Sequence, residues 1–186
     1  WVGSMDKGLW KSEKGKVKYY MEPKMPYRNS VLCIKESPDG TLWVGTGFGL
    51  GRYNRKNDTF DWFTREDGLP ALGISGIAFD DKGLWIGTGN GLAFYDGKTF
   101  KTYNTKNGLS ANGIWALNYF KKSQTLFVGT DAGLNTIKEK KIGLVPITAM
   151  QNTAIFSINS YADSLLLMGT GGTGVVLLNP VTYEQK

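Results

Sequence analysis

The sequence contains no histidine. That removes imidazole acid–base catalysis, Ser-His and Cys-His nucleophile activation and His-ligated zinc or iron from these 186 residues. Cysteine is almost as scarce: Cys33 stands alone in the apolar run VLCI. It can form no internal disulfide, it is expected to be buried as a small hydrophobe, and the redox compartment stays open. No apolar run approaches the ~18 residues that a spanning helix needs. The opening WVGS has no leader pattern and reads as structure already. Charge is only mildly one-sided, with 22 Lys and Arg against 16 Asp and Glu, a formal net charge of +6. The basic residues concentrate at Lys7, Lys11, Lys14, Lys16, Lys18, Lys24 and Arg28, and again at Lys138, Lys140 and Lys141. Attraction to an acidic polysaccharide or to nucleic acid is one reading of such clusters. Interleaved acids and the lack of a basic–aromatic stripe favour solvated outer strands instead, so no nucleic acid partner is expected.

What is abundant is glycine, 25 copies, and it is periodic. Gly3, Gly45, Gly87, Gly129 and Gly169 lie 42, 42, 42 and 40 residues apart, each after a bulky apolar pair such as Trp43-Val44 or Trp85-Ile86. A second glycine follows at Gly8, Gly49, Gly91, Gly133 and Gly174, and then a short apolar run. Each unit divides into pieces of four to six residues rich in Val, Ile, Trp, Tyr and Phe, separated by PDG, DDKG, TGNG, YDGK and KNG. These separators are turn chemistry, and no segment sustains a helical period. For the third unit the strands are expected at 74–79, 84–88, 91–95 and 99–103. Four short antiparallel strands every 42 residues form a β-propeller blade. The fold class is therefore all-β, with blades at about 1–22 (incomplete), 30–64, 73–104, 112–146 and 153–184. The first blade begins at its second strand, and the last is expected to hold four strands ending near Tyr183. The pattern predicts a partial ring of a larger propeller, with a closed five-bladed ring as the alternative. An open edge would invite pairing with further blades or with a second copy.

Apolar residues recur three apart in each first strand: Val31/Ile34, Ile74/Ile77, Ile114/Leu117 and Ile155/Ile158. Strand alternation sends such pairs to opposite faces, as an inner strand sandwiched between blades would require. In the second strand, Leu84 and Ile86 are expected to face one neighbour and Trp85 and Gly87 the other, the glycine leaving room for a side chain of the adjacent blade. Alternation also places TGFG, TGNG and TDAG on one rim, together with REDGLPALG and TKNGLSANG. Tips that vary on a rigid frame are where sites are usually built. Phe48, Asn90 and Asp131, read as equivalent tip positions, are the ligand-binding candidates, with Trp115 as a residue lining the channel mouth. The competing readings are permissive turn residues and a core tryptophan. GTGNG lies between strands without a following helix, so it is not a phosphate loop. Asp80-Asp81 and Glu66-Asp67 read as turn and surface carboxylates. No catalytic residue, metal ligand or cofactor is assigned.

The residues LWVGT (42–46) with GL (49–50), LWIGT (84–88) with GL (91–92), and LFVGT (126–130) with GL (133–134) resemble the two-component regulator propeller repeat. DGLP (67–70) and NGLS (107–110) belong to the same resemblance, which is strong from about 30 to 138 and weaker in the outer blades. It implies the extracytoplasmic, periplasmic input region of a membrane-anchored sensor kinase, often of polysaccharide-degrading gut bacteria, with oligosaccharides as usual ligands. There, two propellers precede a small β-sandwich and a transmembrane helix. Implied partners are a glycan and a second propeller of the parent chain, with no membrane contact by this segment. Related repeats also occur in cell-surface and secretion-associated proteins, so a non-signalling scaffold is the second expectation. An enzyme is not expected, since the segment has neither histidine nor paired rim carboxylates on adjacent blades.

Overall fold

The computed structural model describes residues 1–20, 29–147, 150–161 and 164–185. They form five antiparallel sheets whose strands follow one another in chain order. Sheet one holds β1 (Val2–Gly3), β2 (Leu9–Glu13) and β3 (Lys16–Tyr20). Sheet two holds β4 (Val31–Glu36), β5 (Leu42–Thr46), β6 (Gly49–Asn54) and β7 (Thr59–Phe63). Sheet three holds β8 (Ile74–Asp80), β9 (Gly83–Thr88), β10 (Gly91–Tyr95) and β11 (Phe100–Tyr103). Sheet four holds β12 (Ile114–Phe120), β13 (Thr125–Thr130), β14 (Gly133–Lys138) and β15 (Lys141–Leu144). Sheet five holds β16 (Ile155–Tyr161), β17 (Leu165–Thr170) and β18 (Val175–Leu178). The chain is thus an arc of propeller blades, with the strands β4, β8, β12 and β16 packed side by side along the inside.

The blades cohere because each buries an apolar face against the next. Leu84 and Ile86 join Trp43, Leu50 and Leu69 in the seam between blades two and three. Trp85 joins Leu126, Val128 and Ile137 in the seam between blades three and four. The second-strand alternation is as expected. Fully buried Leu or Ile side chains each contribute about 1.5–3 kcal/mol, so these seams dominate cohesion. The repeated glycine makes the close approach possible. A Cβ on Gly87 would stand 2.8 Å from Ile114 Cγ2, and one on Gly129 would stand 2.5 Å from the Ile155 carbonyl oxygen. The seams on either side of blade three each receive a leucine from the preceding connection: Leu69 and Leu109 are buried. The turns ahead of them close with capping boxes, Thr64 with Asp67 and Asn104 with Asn107, and end at Gly68 and Gly108 in the left-handed region.

Three expectations are corrected. The pairs Ile74/Ile77 and Ile155/Ile158 each lie in one core cluster, not on opposite faces. The ladder explains this: register shifts between Ile74 and Gly76, and likewise between Val31 and Cys33, Ile114 and Ala116, and Ile155 and Ser157. Each inner strand carries one bulged residue, which returns the residue three positions on to the same side. Among the described residues the last blade has three strands rather than four. After Leu178 the chain turns at Asn179, whose side chain accepts from Val181 and Thr182 N–H, and an isolated bridge pairs Leu178 with Gln185. Pro180 has no N–H to extend a ladder. Trp115 is not a core residue, as set out below.

Cys33 is half-buried against Ile74, and burial pushes its thiol up to about 12, so it is a protonated packing group. Of the basic run, Lys24 and Arg28 lie outside the described residues. Lys138 and Lys141 flank an exposed hairpin turn formed by Glu139 and Lys140, both with positive φ.

Candidate functional site

The inner-strand bulges build the most distinctive surface of the arc. The extra residue of each is Leu32, Ser75, Trp115 or Phe156. Leu32, Trp115 and Phe156 are 42%, 46% and 51% exposed, each directly after a buried Val31, Ile114 or Ile155. Ser75 instead donates its hydroxyl to the Ile114 carbonyl of the next inner strand. Bulges re-aim side chains, and here they turn large apolar groups out of the seams. The burial expected for a tryptophan in an apolar strand fails at Trp115 for this reason.

Trp115 does not stand alone. Its indole N–H donates to Asp131 Oδ1 at 2.6 Å, and its ring meets Phe156 edge to face, centroids 5.3 Å apart at 80°. Asp131 is held by its own N–H, which donates to Gly113 O at 3.0 Å. A Cβ on Gly113 would stand 1.9 Å from Asp131 Oδ2, so the glycine makes room for the carboxylate. Gly171 does the same beside Phe156, where a Cβ would lie 3.3 Å from the ring. The result is a half-exposed indole locked in orientation, a second exposed ring, and a carboxylate oxygen free for another donor. Such a surface can stack the apolar face of a flat ligand and accept a hydrogen bond from its edge.

The other two candidates lie on the second-to-third-strand turns of blades two and three. Thr46 Oγ1 accepts from Phe48 N–H, Thr88 Oγ1 from Asn90 N–H, and Thr130 Oγ1 from Ala132 N–H. Phe48 and Asn90 are therefore equivalent to Ala132, and Asp131 takes the place of Gly47 and Gly89, one residue earlier. This corrects the equivalence read from the loop sequences. The shift decides what Asp131 does, since the earlier position bonds back to the start of its own inner strand. Phe48 is half-buried and Asn90 exposed on the same rim. Phe156 is the residue that loop reasoning missed. The available signal was its place one repeat after Trp115, in the equivalent position of the next inner strand.

The opposite rim carries a polar clasp between blades one and two. Asp58, with φ +56, accepts from Tyr20 and Tyr53 hydroxyls at 2.5 and 2.6 Å and pairs with Lys18. The Lys18 bond, then those from Tyr20 and Tyr53, hold its carboxyl well below the usual range. Among the described residues no group of three or more Cys, Asp or Glu could hold a metal ion, and no helix is long and apolar enough to cross a membrane.

Residues 28–48 match the family described as Two component regulator propeller. No curated protein sequence matches the chain. Among solved structures, the chain is similar to the extracellular domain of a hybrid two component system from B. thetaiotaomicron, at 23% identity and a TM-score of 0.81 over 97% of this chain and 25% of that one. It is also similar to PorZ, a surface component of the type-IX secretion system of Porphyromonas gingivalis, at 16% identity and a TM-score of 0.72 over 99% of this chain and 31% of that one. Virginiamycin B lyase from Staphylococcus aureus matches at 19% identity and a TM-score of 0.72 over 94% of this chain and 60% of that one. The chain spans about a quarter of the length of the two-component structure. At these identities the likeness concerns the fold.

Proposed function

For a chain that carries the two-component regulator propeller repeat, we propose a ligand-sensing role in the extracytoplasmic, periplasmic input region of a membrane-anchored two-component sensor. The ligand is an oligosaccharide, and the segment itself is not catalytic. The observation that carries this reading is the Trp115–Phe156–Asp131 cluster: two exposed rings and an oriented carboxylate on a rigid rim. Stacked aromatics with a nearby acceptor suit a pyranose, whose C–H face is apolar and whose edge is lined with hydroxyl donors. Against catalysis, a catalytically inactive form of the matching lyase carries a His-to-Ala change, and this chain has no histidine. Signalling requires that the ligand favour one arrangement of the propellers over another; the rim would supply that difference by bridging neighbouring blades.

The test is thermal unfolding of the chain against a panel of neutral and acidic oligosaccharides. Ligand at 100 times its Kd adds about 2.7 kcal/mol, a rise of a few degrees for a domain of this size. A shift with one glycan class that disappears in Trp115→Ala supports the reading. A well-folded chain that responds to nothing in the panel replaces it with a protein-binding scaffold at the cell surface.

A further inference from the structure

The period of 42 allows the first three seams to be compared position by position, and the third lacks a ring that the other two share. Tyr53 of blade two inserts against Trp1 and Tyr20 of blade one, centroids 4.9 and 6.1 Å away. Tyr95 of blade three inserts in the same way against Trp43 and Phe63 of blade two, at 6.1 and 5.4 Å. The same position in blade four is Ile137, which has no ring to reach across. Beside it lies a cavity of about 160 Å³ between blades three and four, walled by Trp85, Phe94, Tyr103 and Tyr119.

A second position in the same repeat differs in charge. The residue paired across from the second-strand tryptophan is Arg52 in blade two, opposite Trp43, and Phe94 in blade three, opposite Trp85. In blade one Lys11 holds this place. Lys11 Nζ stands 5.7 Å from the Trp1 ring centroid, and Arg52 Cζ stands 5.9 Å from that of Trp43. Each cation is paired with an acid, Glu13 at 2.8 Å and Asp61 at 3.0 Å. In blade three the cation is missing from that place, while carboxylates gather at the mouth of the cavity: Asp80, Asp81 and Glu139. Lys82 and Lys140 also border it. Among the described residues neither forms an ion pair with these carboxylates. Asp80 is oriented rather than neutralised, accepting from Lys82 and Gly83 N–H and from Trp85 Nε1. Burial, with the charges of Asp81 and Asp80, raises the Tyr119 phenol above its ordinary value. Lys101 covers the Tyr103 ring from the outer strand at 5.2 Å. Among the described residues no side-chain cation covers Trp85 or Phe94.

We propose that the cavity between blades three and four binds an organic cation with an apolar stem, an alkylammonium or guanidinium group. The stem would lie among Phe94, Tyr119 and Ile137, and the charge would sit at Asp81 and Glu139. A cation over an aromatic wall is attracted by the ring quadrupole, and a carboxylate mouth adds direct charge pairing. The site lies on the rim opposite the Trp115 cluster and does not depend on the glycan reading.

The experiment follows the Trp85 indole N–H resonance of the full chain, assigned with Trp85→Phe. The probes are n-butylammonium and n-butylguanidinium, capped lysine and arginine amides, and 1-pentanol as the uncharged match. The expected result is a saturable shift with the cations and none with pentanol. Binding should weaken about tenfold in Asp81→Asn/Glu139→Gln and disappear in Ile137→Tyr, which restores the ring of the earlier seams. Tighter binding of the capped amino acids points to a partner's side chain, tighter binding of the free amines to a small molecule, and both support the site. An equal response to pentanol, no saturable shift, or undiminished binding in the surface double variant overturns it. That variant leaves the core intact, so the outcome is readable even if Ile137→Tyr does not fold.

Discussion

Gly129 shows how strictly a single residue type can be required. An added Cβ would meet the Ile155 carbonyl oxygen at 2.5 Å and Ile155 Cβ at 3.0 Å, both of them in the next inner strand. Neither atom belongs to the flexible end of a side chain, so the blades must separate. Gly129→Ala should cost about 1–3 kcal/mol in urea unfolding, although alanine is ordinarily mild in a strand. Tryptophans split in the opposite sense. Trp85→Ala empties a seam and should cost about 3–5 kcal/mol, whereas Trp115 is half in solvent and its loss should change stability little while removing glycan binding. The comparison by chemical denaturation separates a packing tryptophan from a functional one. Asp58 supplies a pH test. Its carboxyl is depressed by bonds from Lys18, Tyr20 and Tyr53, so its contribution is fully present above the unfolded value near 4. That contribution is lost as pH falls through the lower folded value. Asp58→Asn, which tolerates positive φ, should flatten the acid limb of a stability–pH curve and leave its neutral-to-basic side unchanged in shape.

At the scale of the element, the informative feature is the inner-strand bulge. The expected strand bounds for blade three agree with those found to within a residue, because turn chemistry and apolar runs are local. The faces of the inner strands were not legible in the same way. A spacing of three reads as two faces in a regular strand and as one face across a bulge, and only the ladder partners distinguish them. The same extra residue brings Trp115 and Phe156 to the surface, so one misread register hid both a core pair and the ring that joins Trp115. The connections behave more simply. Leu69 and Leu109 follow capped turns and are buried in consecutive seams. Leu109→Ala should cost about 2–5 kcal/mol and raise hydrogen exchange first in strands β9–β10 and β12–β13 bordering that seam.

At the scale of the molecule, the arc is a chain of nearest neighbours. Leu69 lies in the cluster between blades two and three and Leu109 in that between blades three and four. With no shared partner, their alanine variants should add to within about 0.5 kcal/mol; strong coupling in the double variant would show that the blades unfold through one shared core instead.

The sequence by itself determined the blade, its period and the strand order, because these rest on turn residues, apolar runs and a glycine repeated every 42 positions. It also determined that the second-strand glycine serves the seams, since alternation and size suffice for that. Tertiary structure alone decided that Asp131 meets Trp115 and that Phe156 joins the pair. It alone decided that the seam between blades three and four holds an aromatic-walled cavity bordered by Asp80, Asp81 and Glu139. The physical reason is the same in each case. A period records which residues recur within a blade, but a site lies between blades, where a one-residue bulge or a Tyr-to-Ile change is read out only through the neighbour it faces.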